Sequence, residues 1–162
     1  MIRARRQGGS FILFSFALSL LLSVIALPEG FSQYRPDMTG LVLIYWCLFI
    51  PERISVGTGW LVGLCLDILK NTLLGQHALG LAIMAFFANT LHRQIRVYPF
   101  WQQAGSVLIF LLVHQLISLW VNSLTGQHIA GWPYWIPSLA GIALWPFLYA
   151  ILHTMQRFFS IK

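Results

Sequence analysis

Pro51-Glu-Arg-Ile-Ser-Val-Gly57-Thr-Gly59-Trp-Leu-Val-Gly63-Leu-Cys-Leu-Asp67-Ile-Leu-Lys70 is the stretch whose reading decides the fold. It opens on a charged pair, continues as an apolar helix and carries an acid near its far end. Gly59, Gly63 and Asp67 recur every four residues, which puts them on one narrow helical stripe. Glycines at that spacing let two backbones approach closely in lipid, where burial of area no longer drives helices together. A carboxylate at such depth is costly unless it faces protein or water. The stretch therefore predicts a packing seam with an acid at its end, on which the other segments assemble.

Composition agrees with a membrane setting. The chain has 162 residues, which suits one domain, and is 58% apolar and 9% charged. Soluble domains average roughly 25% charged residues. So few charges do not cover a soluble surface of this size, whereas a bilayer requires no such cover. The net charge of +6 does not point to nucleic acid, because the basic residues cluster at the ends of apolar runs. Cys47 and Cys65 fall inside apolar runs and are expected to be inert thiols, neither disulfide-bonded nor metal-bound.

Working outward from the central stretch predicts six spans, at about 10–27, 36–50, 54–69, 75–91, 100–124 and 136–155. The first follows Arg3, Arg5 and Arg6. It is longer than a secretory-signal core of about 7–15 residues and is expected to be a retained anchor. The second is short: residues 38–50 cover only about 20 Å of a core about 30 Å thick. Its helix must begin earlier, around Arg35-Pro36-Asp37, or lie in a thinned or protein-shielded place. The fourth is short too. Tyr98 and Trp101, and then Trp132, Tyr134 and Trp135, suit interfacial belts, and Pro146 predicts a kink in the sixth span.

The charges test that layout. With six spans, Arg3, Arg5, Arg6, Arg53, Arg93, Arg96, Arg157 and Lys162 share one side, against Arg35 and Lys70 on the other. Lys and Arg in short loops mark the cytoplasmic face, so both termini are expected there.

Few residues offer chemistry. Asp67 is the one acid inside a span. It is either a binding or proton-relay carboxylate or a structural acid held by Lys70, backbone or hydroxyl groups, and packing is the favoured reading. One carboxylate supplies no aspartyl dyad, and neither a His-Glu-x-x-His helix nor a Gly-x-Ser-x-Gly elbow is present. His114, Ser118 and Asn122 recur every four residues on the fifth span, with Gln115 beside them. Hydrogen bonding between helices is favoured for them over a pocket for a polar ligand, and no metal site is expected. His77, His92, His128 and His153 lie near span ends and are expected to be solvated. Arg35-Pro36-Asp37 reads equally as a capped helix start or as an extracytoplasmic contact for a partner or headgroup.

Arg35-Pro36-Asp37, Leu43-Ile-Tyr45-Trp46, the block from Pro51-x-Arg53 through Val56-Gly57-Thr58-Gly59-x-x-x-Gly63-x-x-x-Asp67-Ile-Leu, Leu74-Gly75 and Phe100-Trp101-Gln102-Gln103 together resemble the rod shape-determining protein MreD family. The likeness covers nearly the whole chain. Glu52 in the short loop and Lys70-Asn71 after Asp67 depart from it. The resemblance implies an all-α integral membrane protein, a six-transmembrane-helix bundle similar to the substrate-binding components of energy-coupling-factor transporters. It implies a non-enzymatic, cofactor-free part of the bacterial cell-wall elongation complex in the inner membrane. The implied partners are an MreC-like bitopic protein, a RodA-type glycosyltransferase, a class B penicillin-binding protein, MreB indirectly, and membrane lipid, with no nucleic acid.

Two functions therefore stand as expectations. In the first, the chain is a scaffold in which Gly57, Gly59 and Gly63 form a packing seam or receive a partner helix. Asp67 and the Arg35-Pro36-Asp37 lip then fix the geometry at the far end. In the alternative, the chain is a solute- or lipid-binding transporter subunit whose short second and fourth spans and fifth-span stripe surround a cavity.

Overall fold

The computed structural model describes residues 3–25, 28, 30–31, 34–127 and 131–159, with side chains described from residue 8 onward. Ala26, Leu27, Glu29, His128 and Lys162 lie outside the described residues, as do the side chains of Arg3, Arg5 and Arg6. The described chain is all helical. Its helices are α1 (Arg3–Val24), α2 (Met38–Phe49), α3 (Val56–Lys70), α4 (Gln76–Ile95), α5 (Phe100–Leu124) and, after a 3-10 turn at Trp132–Trp135, α6 (Ile136–Phe158). Two segments among the described residues, Phe100–Leu124 and Trp132–Phe158, are long and apolar enough to cross a membrane, and Gly8–Val24 and Met38–Phe49 are shorter apolar helices.

The centre of the bundle is α2 and not the glycine-bearing α3. Every residue from Thr39 to Leu48 is buried. A helix that is apolar all round requires cover on all sides, and α1, α4, α5 and α6 supply it. With 12 residues, α2 is only about 18 Å long. The helix does not start at Arg35-Pro36-Asp37: those residues stay outside it, and Asp37 caps it by accepting from Gly40 N at 3.0 Å. Shielding by protein, and not extension, accounts for the short run.

The helix α4 joins the two halves, packing on α2, α3 and α5. Small residues allow this. A Cβ on Gly59 would stand 2.8 Å from Leu81 O, and one on Gly63 would stand 2.6 Å from Ala78 N and overlap Ala78 Cα. The α3–α4 contact is thus backbone against backbone, as close-packed membrane helices favour. On the far side of α4, Gly80 receives the ring of His114 from α5. Gly57 lies outside this seam, since a Cβ there would meet only Ser55 Oγ at 3.5 Å. In α6 the helical backbone continues through Pro146, beside the fully buried Trp145.

Candidate functional site

One cluster of polar side chains gathers at the end of the bundle where α1, α3 and α5 finish and α2, α4 and α6 begin. The corner between α3 and α4 is built first by the backbone. Asn71 adopts the left-handed conformation that ends α3, and Gly75 has φ 102°, a value that favours glycine. This tight corner turns the first amides of α4 back toward Asp67. Its Oδ1 accepts from His77 N at 2.9 Å, Thr72 Oγ1 at 2.9 Å and His77 Nδ1 at 2.8 Å. Its Oδ2 accepts from Gly75 N at 2.9 Å and Ala78 N at 3.3 Å. Asp67 is fully buried. The carboxylate supplies the acceptors that the start of α4 lacks and places negative charge at its positive dipole end.

A second corner closes α1 onto α2. Arg35 donates to the last carbonyls of α1, to Ser23 O at 2.8 Å, Ile25 O at 2.5 Å and Leu22 O. Those carbonyls have no helical partner, and a guanidinium satisfies several at once. Ser23 and Thr39 hydroxyls meet at 3.1 Å, and Trp46 Nε1 donates to Ser15 Oγ at 2.9 Å. Asp37 also makes an ion-pair contact of 2.8 Å with His114 Nδ1.

A third lock joins α5 to α6. Gln115 Nε2 donates to Tyr134 O at 2.8 Å, the Tyr134 hydroxyl donates to Gln115 O at 2.9 Å, and Ser138 Oγ donates to Gln115 Oε1.

Between these corners lies a polar cavity of about 250 Å³ whose walls include Arg35, Asp37, Lys70, His77, His114, Ser118 and Asn122. The fifth-span stripe of His114, Ser118 and Asn122 and the Arg35-Pro36-Asp37 lip, far apart in sequence, thus border one space. The rings of His77 and His114 lie 5.8 Å apart and face it together. Asp67–His77 and Asp37–His114 pair off two by two. Among the described residues, no three His, Cys, Asp or Glu side chains converge as metal ligands.

Several of these roles are not visible in the sequence. His77 is not solvated as expected: its side chain is mostly buried and paired with Asp67. Of the expected holders of Asp67, Lys70 makes no ion pair with it, while hydroxyl and backbone groups do hold it, through Thr72, Gly75 and His77, with the His77 ring added. Arg35 turns inward onto α1, a contact that helical spacing does not reveal. Gly75 followed closely by a histidine was the available signal for the α3–α4 corner.

The model of the rod shape-determining protein MreD family matches residues 4–155. A rod shape-determining protein MreD of Haemophilus influenzae is 28% identical over 146 residues, covering 90% of this chain and 90% of the relative. No solved structure matches the chain. A family match that reaches into all six helices, with the clasp at Asp67 and the Arg35-Pro36-Asp37 lip inside it, places this chain in the rod shape-determining MreD family.

Proposed function

We propose that the chain is a non-enzymatic scaffold of the bacterial cell-wall elongation complex in the inner membrane. In this role it binds an MreC-like bitopic protein and helps to organise a RodA-type glycosyltransferase and a class B penicillin-binding protein, with MreB engaged indirectly. All six helices cross the bilayer in a bundle of the kind found in energy-coupling-factor substrate-binding components. Both termini face the cytoplasm, as the bias of Arg53, Arg93, Arg96 and Arg157 against Arg35 and Lys70 favours.

The observation that carries this role is the use made of Asp67. The acid best placed for chemistry is fully buried and accepts from five donors that hold α3 to α4. The bundle meanwhile leaves large apolar side chains uncovered, among them Leu13 and Phe14 on α1 and Leu61 and Ile68 on α3. Lipid or partner helices cover such faces.

The test is deletion of the gene in a rod-shaped host, together with detergent co-purification of the tagged chain. Loss of the chain should round the cells, and an MreC-like partner should remain bound in mild detergent. Cells that stay rod-shaped, or a chain that purifies free of any such partner, would remove the role.

A further inference from the structure

The polar cavity contains more hydrogen-bonding capacity than the protein uses. Gln76 and Ser118 are each 7% exposed and border it, yet neither side chain has a hydrogen-bond partner among the described residues. Nor does Asn122, farther along the same stripe of α5. The Nε2 of His114, a residue 5% exposed, is buried without a partner among the described residues, and Asp37 Oδ2 has there only its 2.8 Å contact with His114 Nδ1. Buried polar groups are as a rule hydrogen-bonded, so the buried His114 Nε2, with the unpaired side chains that open onto the same space, points to something that occupies it.

The charges indicate what that is. Arg35 and Lys70 bring two positive charges to the lining and Asp37 one negative charge, and Arg35 is engaged by the carbonyls of α1. Lys70 remains, bordering the cavity without an ion-pair partner among the described residues. The described lining thus carries one net positive charge beside neutral donors, which suits a single anionic group. The space of about 250 Å³ lies below the range of about 300–1,000 Å³ usual for whole small-molecule ligands, so it fits a headgroup better than a nutrient.

An apolar groove of about 230 Å³ adjoins it, lined by Leu18, Leu22, Val42, Leu144, Phe147 and Ile151. Consecutive residues join the two: Leu22 and Met38 line the groove, and Ser23 and Asp37 line the cavity. Ser15 and Ser19 also border the groove, but their hydroxyls bond to Ile12 O and Phe16 O of their own helix at 2.7 and 2.8 Å. The groove wall is therefore hydrocarbon in character.

We propose that the cavity binds the anionic phosphate or carboxylate headgroup of a membrane amphiphile whose hydrocarbon chain lies in the groove between α1, α2 and α6. Lys70 neutralises the headgroup, and Gln76, Ser118 and Asn122 donate to it. This site stands independently of the partner-binding role proposed above, since its groove uses none of Leu13, Phe14, Leu61 and Ile68.

The experiment measures thermal unfolding of the full chain in dodecyl maltoside with added phosphatidylglycerol, phosphatidylcholine or soluble glycerol 3-phosphate. Phosphatidylglycerol in large excess over Kd should raise Tm by about 5 °C, and phosphatidylcholine and glycerol 3-phosphate should do little. Lys70→Gln, at an exposed position, should weaken the apparent lipid affinity about tenfold without changing the lipid-free Tm. Asn122→Leu, which crowds the cavity, should do the same, and Arg53→Gln should leave the effect intact. The proposal is overturned if phosphatidylcholine matches phosphatidylglycerol. It is equally overturned if the soluble phosphate alone accounts for the gain, or if Lys70→Gln keeps it in full.

Discussion

Gly63 on α3 and Ala78 on α4 meet backbone to backbone: a Cβ at Gly63 would stand 2.6 Å from Ala78 N and overlap Ala78 Cα. The obstacle is main chain, which does not rotate aside as a side chain does. Gly63→Ala should therefore force α3 and α4 apart and destabilise the protein by about 1–3 kcal/mol. Gly63→Leu should abolish assembly and fail to restore rod shape in a deletion strain. Gly57→Ala is the control, since its Cβ would meet only Ser55 Oγ at 3.5 Å; it should be neutral or slightly stabilising through helix propensity. Unfolding in detergent checks all three. Equal loss at residues 57 and 63 would refute a seam confined to one face.

Asp67 and His77 form the second test. Asp67→Asn keeps the shape but replaces one acceptor oxygen with a donor, which then faces amides that also donate. At least one buried N–H is left unpaired, at a cost of about 1–3 kcal/mol. Asp67→Ala removes every acceptor and should cost more than Asp67→Asn. His77→Ala should cost less, because the Thr72 and backbone donors remain on the carboxylate. A double-mutant cycle between Asp67 and His77 should give a coupling energy of about 0.5–3 kcal/mol. A cycle with no coupling would mean that the 2.8 Å contact contributes nothing to folding.

How much of this is legible in the sequence follows from how it is encoded. Gly59, Gly63 and Asp67 align because a four-residue spacing maps onto one helix face, whatever surrounds the helix. The same spacing finds His114, Ser118 and Asn122. It does not say which helix each stripe faces, so α3 reads as the centre of the bundle although α2 occupies it. The closure of Asp67 onto His77 crosses a turn set by Gly75, and the reach of Arg35 to α1 crosses a loop. Neither contact has a periodicity to reveal it. Gly57 is the converse case: it shares the glycine-rich look of the seam but lies off its contact face.

Arg35 provides a third test. Its guanidinium serves the carbonyls of Leu22, Ser23 and Ile25 together. Lysine keeps the charge but not the planar fork, so Arg35→Lys should recover little of what Arg35→Ala loses. Both should loosen α1 selectively, because α1 packs mainly on α2 while α3, α4 and α5 hold one another. Hydrogen exchange should rise in residues 12–25 of either variant and stay unchanged in α4. Exchange that rises uniformly would show instead that α1 unfolds only with the whole bundle.

Gln115 supplies the last. Its side chain donates to Tyr134 O and accepts from Ser138, while its main-chain carbonyl accepts from the Tyr134 hydroxyl. Gln115→Glu keeps the acceptor for Ser138 and loses the donor, placing a carboxylate against Tyr134 O. Gln115→Leu loses both side-chain bonds but adds no charge. Interhelical hydrogen bonds between membrane helices average about 0.6 kcal/mol each, so Gln115→Leu should cost about 1 kcal/mol. Gln115→Glu should cost more at neutral pH, because an ionised carboxylate then faces a carbonyl oxygen. The excess should vanish as acidic conditions protonate the carboxyl group and restore a donor. Detergent melting curves of the two variants across pH 4 to 8 decide it, since a fixed gap between them throughout that range would exclude a donor role for Gln115 Nε2.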